Sequence, residues 1–127
     1  MKMNIFILDK NPKIAAEYHC DKHVVKMILE SAQMLSTAHW LQSLEIFNKQ
    51  MTDFKRVRDA KEFLHVNLQE SMKPPYQMTH VRHPCTIWTT ESIENYVWHV
   101  KLLFYLCCEY TKRYGKIHKT AKYIKWF

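Results

Sequence analysis

The chain has a single glycine, Gly115, in 127 residues. A phosphate-cradling loop needs several glycines so that backbone amides can approach the ligand, and neither GxGxxG nor GxxxxGK[ST] can be written here. Tight primed hairpin turns also want glycine, which disfavours an all-β fold. No CxxC occurs among Cys20, Cys85, Cys107 and Cys108, so a zinc ribbon or redox motif has no support. Cys107 and Cys108 are adjacent and would point about 100° apart on a helix, a poor disulfide framework. Long apolar runs are missing too. The hydrophobic stretch before Asp9 is too short for a signal peptide, and Leu102 to Cys108 is far below a membrane span. These absences lead us to expect a reduced, cytoplasmic protein that does not enter a membrane. Acidic residues are absent beyond Glu109, where Lys112, Arg113, Lys116, Lys119, Lys122 and Lys125 all fall.

What is present is a globular composition, 47% hydrophobic and 24% charged, with 19 Lys+Arg against 12 Asp+Glu for a formal charge of +7. The length suits one domain over residues 1–127, burying roughly two thirds of its unfolded surface. The surplus charge lies in a basic aromatic tail, 116–127, where His118, Tyr123, Trp126 and Phe127 alternate with lysines. Such a segment attracts polyanions and offers stacking faces to bases. A solvated tail that only aids solubility is the plainer alternative.

Along the chain, residues 3–8 read as a short extended lead-in. Asn11-Pro12 starts a helix, because Asn caps and Pro suits the first helical position. Ile14, Tyr18, Asp21, Val25, Ile28, Ala32, Leu35 and His39 then follow at spacings of four and three, one face of a single long helix. That face places Asp21 and His39 on a seam that should be apolar, where a carboxylate needs a partner or a purpose. Residues 41–52 include a loop. Asp53 is expected to cap a shorter helix with Phe54, Val57, Ala60, Phe63 and Leu64 inward, and Pro74-Pro75 breaks what precedes it. Thr79 to Trp88 is a polar, aromatic connector. Thr89 or Thr90 caps the last long helix with Glu91 in its first turn. Its main face is Ile93, Tyr96, Val97, Val100, Leu103, Phe104, Cys107 and Tyr110, and it ends at Gly115 in a left-handed cap. The expectation is an all-α, single compact domain of two long helices and one or more shorter ones.

Two constellations could carry chemistry. His19 and His23 would stand one turn apart on the first helix, the spacing of a two-histidine metal pair, but a third ligand would have to come from His80 or His83. A polar helix face is the better reading, and no metal or cofactor is expected. On the same helix Asp21 and Glu30 are the acid–base candidates, with Lys22, Lys26 and Gln33 beside them. Equally, Asp21 could pair with a buried histidine or arginine to fix helix packing. The second constellation is His80, Arg82 and His83 with Trp88, Asn95 and Trp98, cationic and aromatic groups that suit a phosphate and a base. Core packing is the competing role for the tryptophans.

Leu29-Glu30-Ser31-Ala32-Gln33-Met34-Leu35, His83-Pro84-Cys85 with Trp88, Tyr96, Cys108-Glu109-Tyr110 and Arg113-Tyr114-Gly115 together resemble a family of small phage and bacterial proteins. These are the pyrimidine-dimer DNA glycosylase-like, or endonuclease V-like, proteins. Their pattern is roughly E-A-x-Q-[IL]-L, H-P-x-x-x-W and C-x-E-[WY]-x-x-R-[GY], and the match covers about half the chain. The resemblance implies an endonuclease V-like helical fold, a phage-encoded protein acting in the host cell, and base excision from damaged or modified pyrimidines. In that chemistry an N-terminal threonine amine attacks the sugar and a glutamate in an A-E-Y-R-E context assists. Here residue 2 is Lys2, and Ala16-Glu17-Tyr18-His19-Cys20-Asp21 puts Cys20 at the glutamate's place with Asp21 beside it. By analogy Asp21 replaces the glutamate, and Lys22 or Lys26 supplies a Schiff-base amine.

The resulting expectation is DNA or a nucleotide held in a cleft between the first and last helices. Asp21, Lys26 and Glu30 are the catalytic candidates. His19, Lys22, His23, Gln33, His80, Arg82, His83, Trp88, Asn95, Tyr110, Arg113, Lys116, His118 and Lys119 are the candidate ligand contacts. A non-enzymatic protein that sequesters a nucleotide or blocks a host protein is the rival.

Overall fold

A computed structural model describes residues 9–127, so the extended lead-in expected over 3–8 lies outside the described residues. Within them every regular element is helical: α1 Pro12–Glu17, α2 Asp21–Ile46, α3 Val57–Asn67, α4 Pro84–Glu91 and α5 Ile93–Tyr114, with 3-10 turns at Met51–Asp53 and Glu70–Met72 and a 3-10 helix Lys119–Trp126. α2 and α5 pack along each other, α1 lies on α5, and α4 bridges α2 and α5. Their common core holds Val24, Met27, Ile28, Met34 and Leu35 of α2 with Leu102, Leu103 and Leu106 of α5. A second cluster forms where the far half of α2 meets α3, around Trp40, Leu44, Leu64 and Leu68.

The first helix is not continuous. Asn11 caps α1, with its side chain accepting from the Lys13 amide at 2.9 Å and Pro12 in the first turn, but α1 ends at Glu17 and α2 begins at Asp21. The break resets the helical phase. Tyr18 and Val25 are exposed, the Asp21 side chain is 75% exposed, and the buried face is Val24, Met27, Ile28 and Ser31. Asp21 is therefore a first-turn residue at a helix N-terminus, where a carboxylate is favoured, and not a charge on an apolar seam. His19 lies between the helices, so the expected histidine pair on one helix face does not form.

At its other end α2 runs on to Ile46, through the first half of the 41–52 segment, and the loop expected there is confined to the residues after it. Asp53 does not cap α3. Its carboxylate instead accepts from the Gln50 amide at 2.7 Å in the preceding 3-10 turn. The inward face of α3 is as its spacing indicates, with Ala60 and Leu64 buried and Phe54, Val57 and Phe63 packed beside them.

The last helix is likewise two. His83 caps α4 through Nδ1, which accepts from the Cys85 amide at 3.1 Å, and Ser92 caps α5 by accepting from the Asn95 amide at 3.0 Å. Neither Thr89 nor Thr90 is a cap, and the first-turn acid of α5 is Glu94 rather than Glu91. The buried face of α5 is His99, Leu102, Leu103, Leu106 and Cys107, with Ile93, Val97 and Phe104 exposed, so the face toward the core is rotated from the expected one and only Leu103 and Cys107 are buried in both. Gly115 closes α5 at φ +68°, with Lys112 and Arg113 in the last turn. No atom lies within 4 Å of where a Cβ would sit, so a side chain there would cost only the left-handed backbone, about 1 kcal/mol.

The connector 74–82 has no helix or strand to satisfy its backbone, and small polar residues of α2 do so instead. The Thr37 hydroxyl donates to the Thr79 carbonyl at 2.6 Å and accepts from its amide at 3.0 Å, and Trp40 Nε1 donates to the Tyr76 carbonyl at 2.8 Å. The segment after Gly115 is not a solvated tail. Its 3-10 helix folds back onto α2 and α5, with Thr120 buried and its hydroxyl 2.8 Å from that of Tyr76.

Candidate functional site

Arg113 gathers the first group of candidates. Its Nη1 donates to the His19 carbonyl at 2.8 Å and to Asp21 Oδ1 at 3.1 Å, Nη2 donates to the Glu17 carbonyl at 3.1 Å, and Nε donates to Glu109 Oε1 at 3.0 Å. The guanidinium thus caps the carboxyl end of α1, bridges to α2 and is flanked by two carboxylates. Its donors serve the protein rather than a phosphate. His19 is buried with Nδ1 2.6 Å from the Ala15 carbonyl, and burial lowers its pKa, partly offset by that bond, with His23 and Arg113 adding to the lowering. Lys22 is exposed beside Asp21.

Lys26 and Glu30 lie 3.8 Å apart, one turn along α2, with side chains 29% and 15% exposed. Glu30 Oε2 is buried without a hydrogen bond among the described residues. Asp21 is nine residues before Glu30, about 13 Å along the helix axis, so the two carboxylates do not share a site. His80 and Arg82 are exposed on the connector, His80 in the left-handed region at φ 55°. His83 is occupied as a cap. Among the described residues no three His, Cys, Asp or Glu side chains come together as a metal site. Trp88 and Trp98 meet edge to face at 5.9 Å, Trp98 Nε1 donates to the Lys10 carbonyl at 2.7 Å, and Asn95 Nδ2 donates to the Trp88 carbonyl at 2.8 Å. This trio joins α4, α5 and the lead into α1, a packing role. Tyr110 stacks near His118 at 5.0 Å, and His118 caps the 3-10 helix, its Nδ1 accepting from the Thr120 amide at 3.1 Å.

The 3-10 helix carries the most ordered array of charge. Such a helix has three residues per turn, so residues three apart stand in line, about 6 Å apart along the axis. Ala121, Ile124 and Phe127 face the core. Thr120, Tyr123 and Trp126 face Tyr76 and His39. Lys119, Lys122 and Lys125 are all exposed and form the third row, which Lys116 precedes by the same interval. No ion pair engages this row among the described residues. The eight-residue length is unusual for a 3-10 helix, and the sequence supports it by repeating lysine, inward residue, inward residue.

Beside the far end of this row lies a site that the reading of the sequence did not single out. A cleft of about 520 Å³ opens between the second half of α2 and the α4–α5 junction, with His39, Gln42 and Glu45 on one wall and Thr90, Ser92 and Tyr96 on the other. His39 Nε2 and the Tyr96 hydroxyl are 2.5 Å apart, and the Trp126 ring packs edge-on against His39 at 4.7 Å. Burial lowers the His39 pKa and raises that of Tyr96 to about 12, so both are neutral near pH 7. Among the described residues no lysine or arginine lines the cleft. The signal for it in the sequence is weak, because His39 stands out only as a polar residue on an apolar seam and Tyr96 sits at regular apolar spacing and reads as core.

Comparison with family models, curated proteins and solved structures gives no match to this chain. Among the described residues no helix is long and apolar enough to cross a membrane.

Proposed function

We propose that the chain binds nucleic acid, with Lys116, Lys119, Lys122 and Lys125 tracking the phosphates of one strand. The single observation that carries this reading is the lysine row on the 3-10 helix. Regularly spaced, exposed and unopposed by any acid in its own segment, it is the arrangement that releases counterions when a linear polyanion docks. Fluorescence anisotropy of a labelled single-stranded oligonucleotide across a salt series tests it. Three phosphate contacts on a single strand contribute about 2 to the slope of log affinity against log salt, so K119Q/K122Q/K125Q should flatten the slope by about 2. Affinity at low salt should fall at least tenfold while the helical circular dichroism is kept. A salt-insensitive affinity, or an unchanged slope, would overturn the proposal.

Base excision is the activity that the resemblance implies, and its test is separate. An oligonucleotide with an abasic site, incubated with the protein and borohydride, would trap a Schiff base as a reduced covalent adduct. Loss of that adduct in Lys26→Gln would assign the amine. The pairing of Asp21 with Arg113 and of Glu30 with Lys26 favours the second reading, a protein that holds its ligand without turning it over. No adduct and an intact oligonucleotide would support that reading.

A further inference from the structure

The cleft beside the lysine row has the opposite electrostatic character to the row itself. Among the described residues Glu45 is the only charged one lining it, burial lowers the His39 pKa, and Ser92 already caps the α5 N-terminus that borders it, so the cleft offers an anion no side-chain cation. A phosphate therefore belongs on the row and an uncharged or hydrogen-donating group belongs in the cleft. The two are adjacent, because Trp126 and Phe127, which follow Lys125, pack against His39 of the cleft wall.

We infer that the cleft receives one unstacked base of a bound strand and selects a base with an exocyclic amino group, adenine or cytosine. This inference rests on the proposed binding of nucleic acid. Gln42 and Glu45 are three residues apart on α2, hence neighbours on one helix face, and both are exposed on the cleft wall. The Glu45 carboxylate accepts from the amino group, as carboxylates do from cytosine N4, and the Gln42 amide donates to the adjoining ring nitrogen. Uracil and hypoxanthine reverse this pattern and present a carbonyl where the amino group was. Gln42 can turn its amide over to suit them, but an ionised Glu45 has no hydrogen to donate. Selectivity is therefore placed on Glu45, with His39 and Tyr96 providing aromatic surface on the two walls.

Equal-length oligo(dC) and oligo(dU) isolate this contact, because the two bases differ only at position 4 and the neighbouring ring nitrogen. Oligo(dA) and oligo(dI) form a matching purine pair. Binding by anisotropy at fixed salt should favour oligo(dC) over oligo(dU), and oligo(dA) over oligo(dI), by about tenfold, the usual worth of one such base contact. Glu45→Ala should reduce both preferences to within twofold, with oligo(dC) and oligo(dA) affinity falling and that of oligo(dU) and oligo(dI) holding or rising as the carboxylate facing their carbonyl is removed. Glu45 is an exposed helix residue, and its circular dichroism and melting should match the parent. Equal binding of both members of each pair, or a preference that survives Glu45→Ala, would overturn the inference while leaving salt-dependent binding intact. Failure to bind any oligonucleotide would overturn both it and the function it rests on.

Discussion

Acidification from pH 7 to pH 4 is expected to remove roughly 3 kcal/mol of folding stability through His99 alone. The imidazole is fully buried in α5, and burial pushes its pKa from 6.5 down to about 3. Its protonation state is fixed by its partners. The Thr89 hydroxyl donates its one hydrogen to the Cys85 carbonyl at 2.8 Å, so in its 2.8 Å contact with His99 Nδ1 it accepts. Nδ1 therefore carries the proton, and Nε2 is a bare acceptor with no hydrogen-bond partner among the described residues. Between pH 6.5 and about 3 the unfolded chain binds a proton at this residue that the folded chain does not. The contribution is thus complete above pH 6.5 and is lost as pH falls, at up to about 1.4 kcal/mol per pH unit. His19, His39 and His118 are lowered as well, burial being the largest cause in each, so they act in the same direction. Urea unfolding across this range reads the slope directly. His99→Asn places an amide donor near Nδ1 and removes the titrating group, so its profile should be flatter by close to the full His99 contribution. Parallel profiles for the two proteins would rule out His99 as the source.

His99 also shows why part of the molecule was hidden from the sequence. The local signals were readable: Asn11-Pro12 opens a helix, the inward face of α3 follows its spacing, and Gly115 ends α5 in the left-handed conformation. Each depends on a few neighbouring residues. The two helix breaks do not. Glu17-Tyr18-His19-Cys20 contains neither glycine nor proline, and apolar spacing continues across it. The chain turns there because a guanidinium from the far end of α5 takes the carbonyls of Glu17 and His19. Ser92 is one of several capping residues in a Thr-Thr-Glu-Ser run, and α5 carries apolar residues nearly all round, so spacing alone did not pick out the side on which His99 is buried. The lysine row was visible as charge but not as geometry, because a test for 3.6-residue periodicity scatters residues that a three-residue turn aligns. The cleft was the least readable feature, since His39 and Tyr96 meet only when α2 and α5 pack, 57 residues apart in sequence.

The Arg113 network should prove the most sensitive polar contact in the fold. Arg113→Met keeps much of the side chain's length and apolar stem while removing every donor. The carbonyls of Glu17 and His19 would lose a partner at the end of α1, and Glu109, whose side chain is only 13% exposed, would keep its charge without the cation that offsets it. Removing one member of a withdrawn pair costs more than the pair contributes, because the remaining charge stays desolvated. Arg113 is itself 21% exposed, so water softens the loss, and we expect about 2–3 kcal/mol, or roughly 10 °C in melting temperature. Arg113→Lys keeps the charge but not the planar fork that reaches three chain segments, so it should recover less than half. Arg113→Met with Glu109→Gln should recover part of the loss by removing the stranded charge. The same variants separate a structural arginine from a phosphate-binding one. Arg113 donates to protein atoms on each of its nitrogens, so Arg113→Met, which removes the charge, should leave the salt slope for oligonucleotide binding below its melting temperature within about 0.3 of the parent, whereas loss of one phosphate contact removes about 0.7. A drop of that size without a change in melting would move Arg113 from the scaffold to the binding surface.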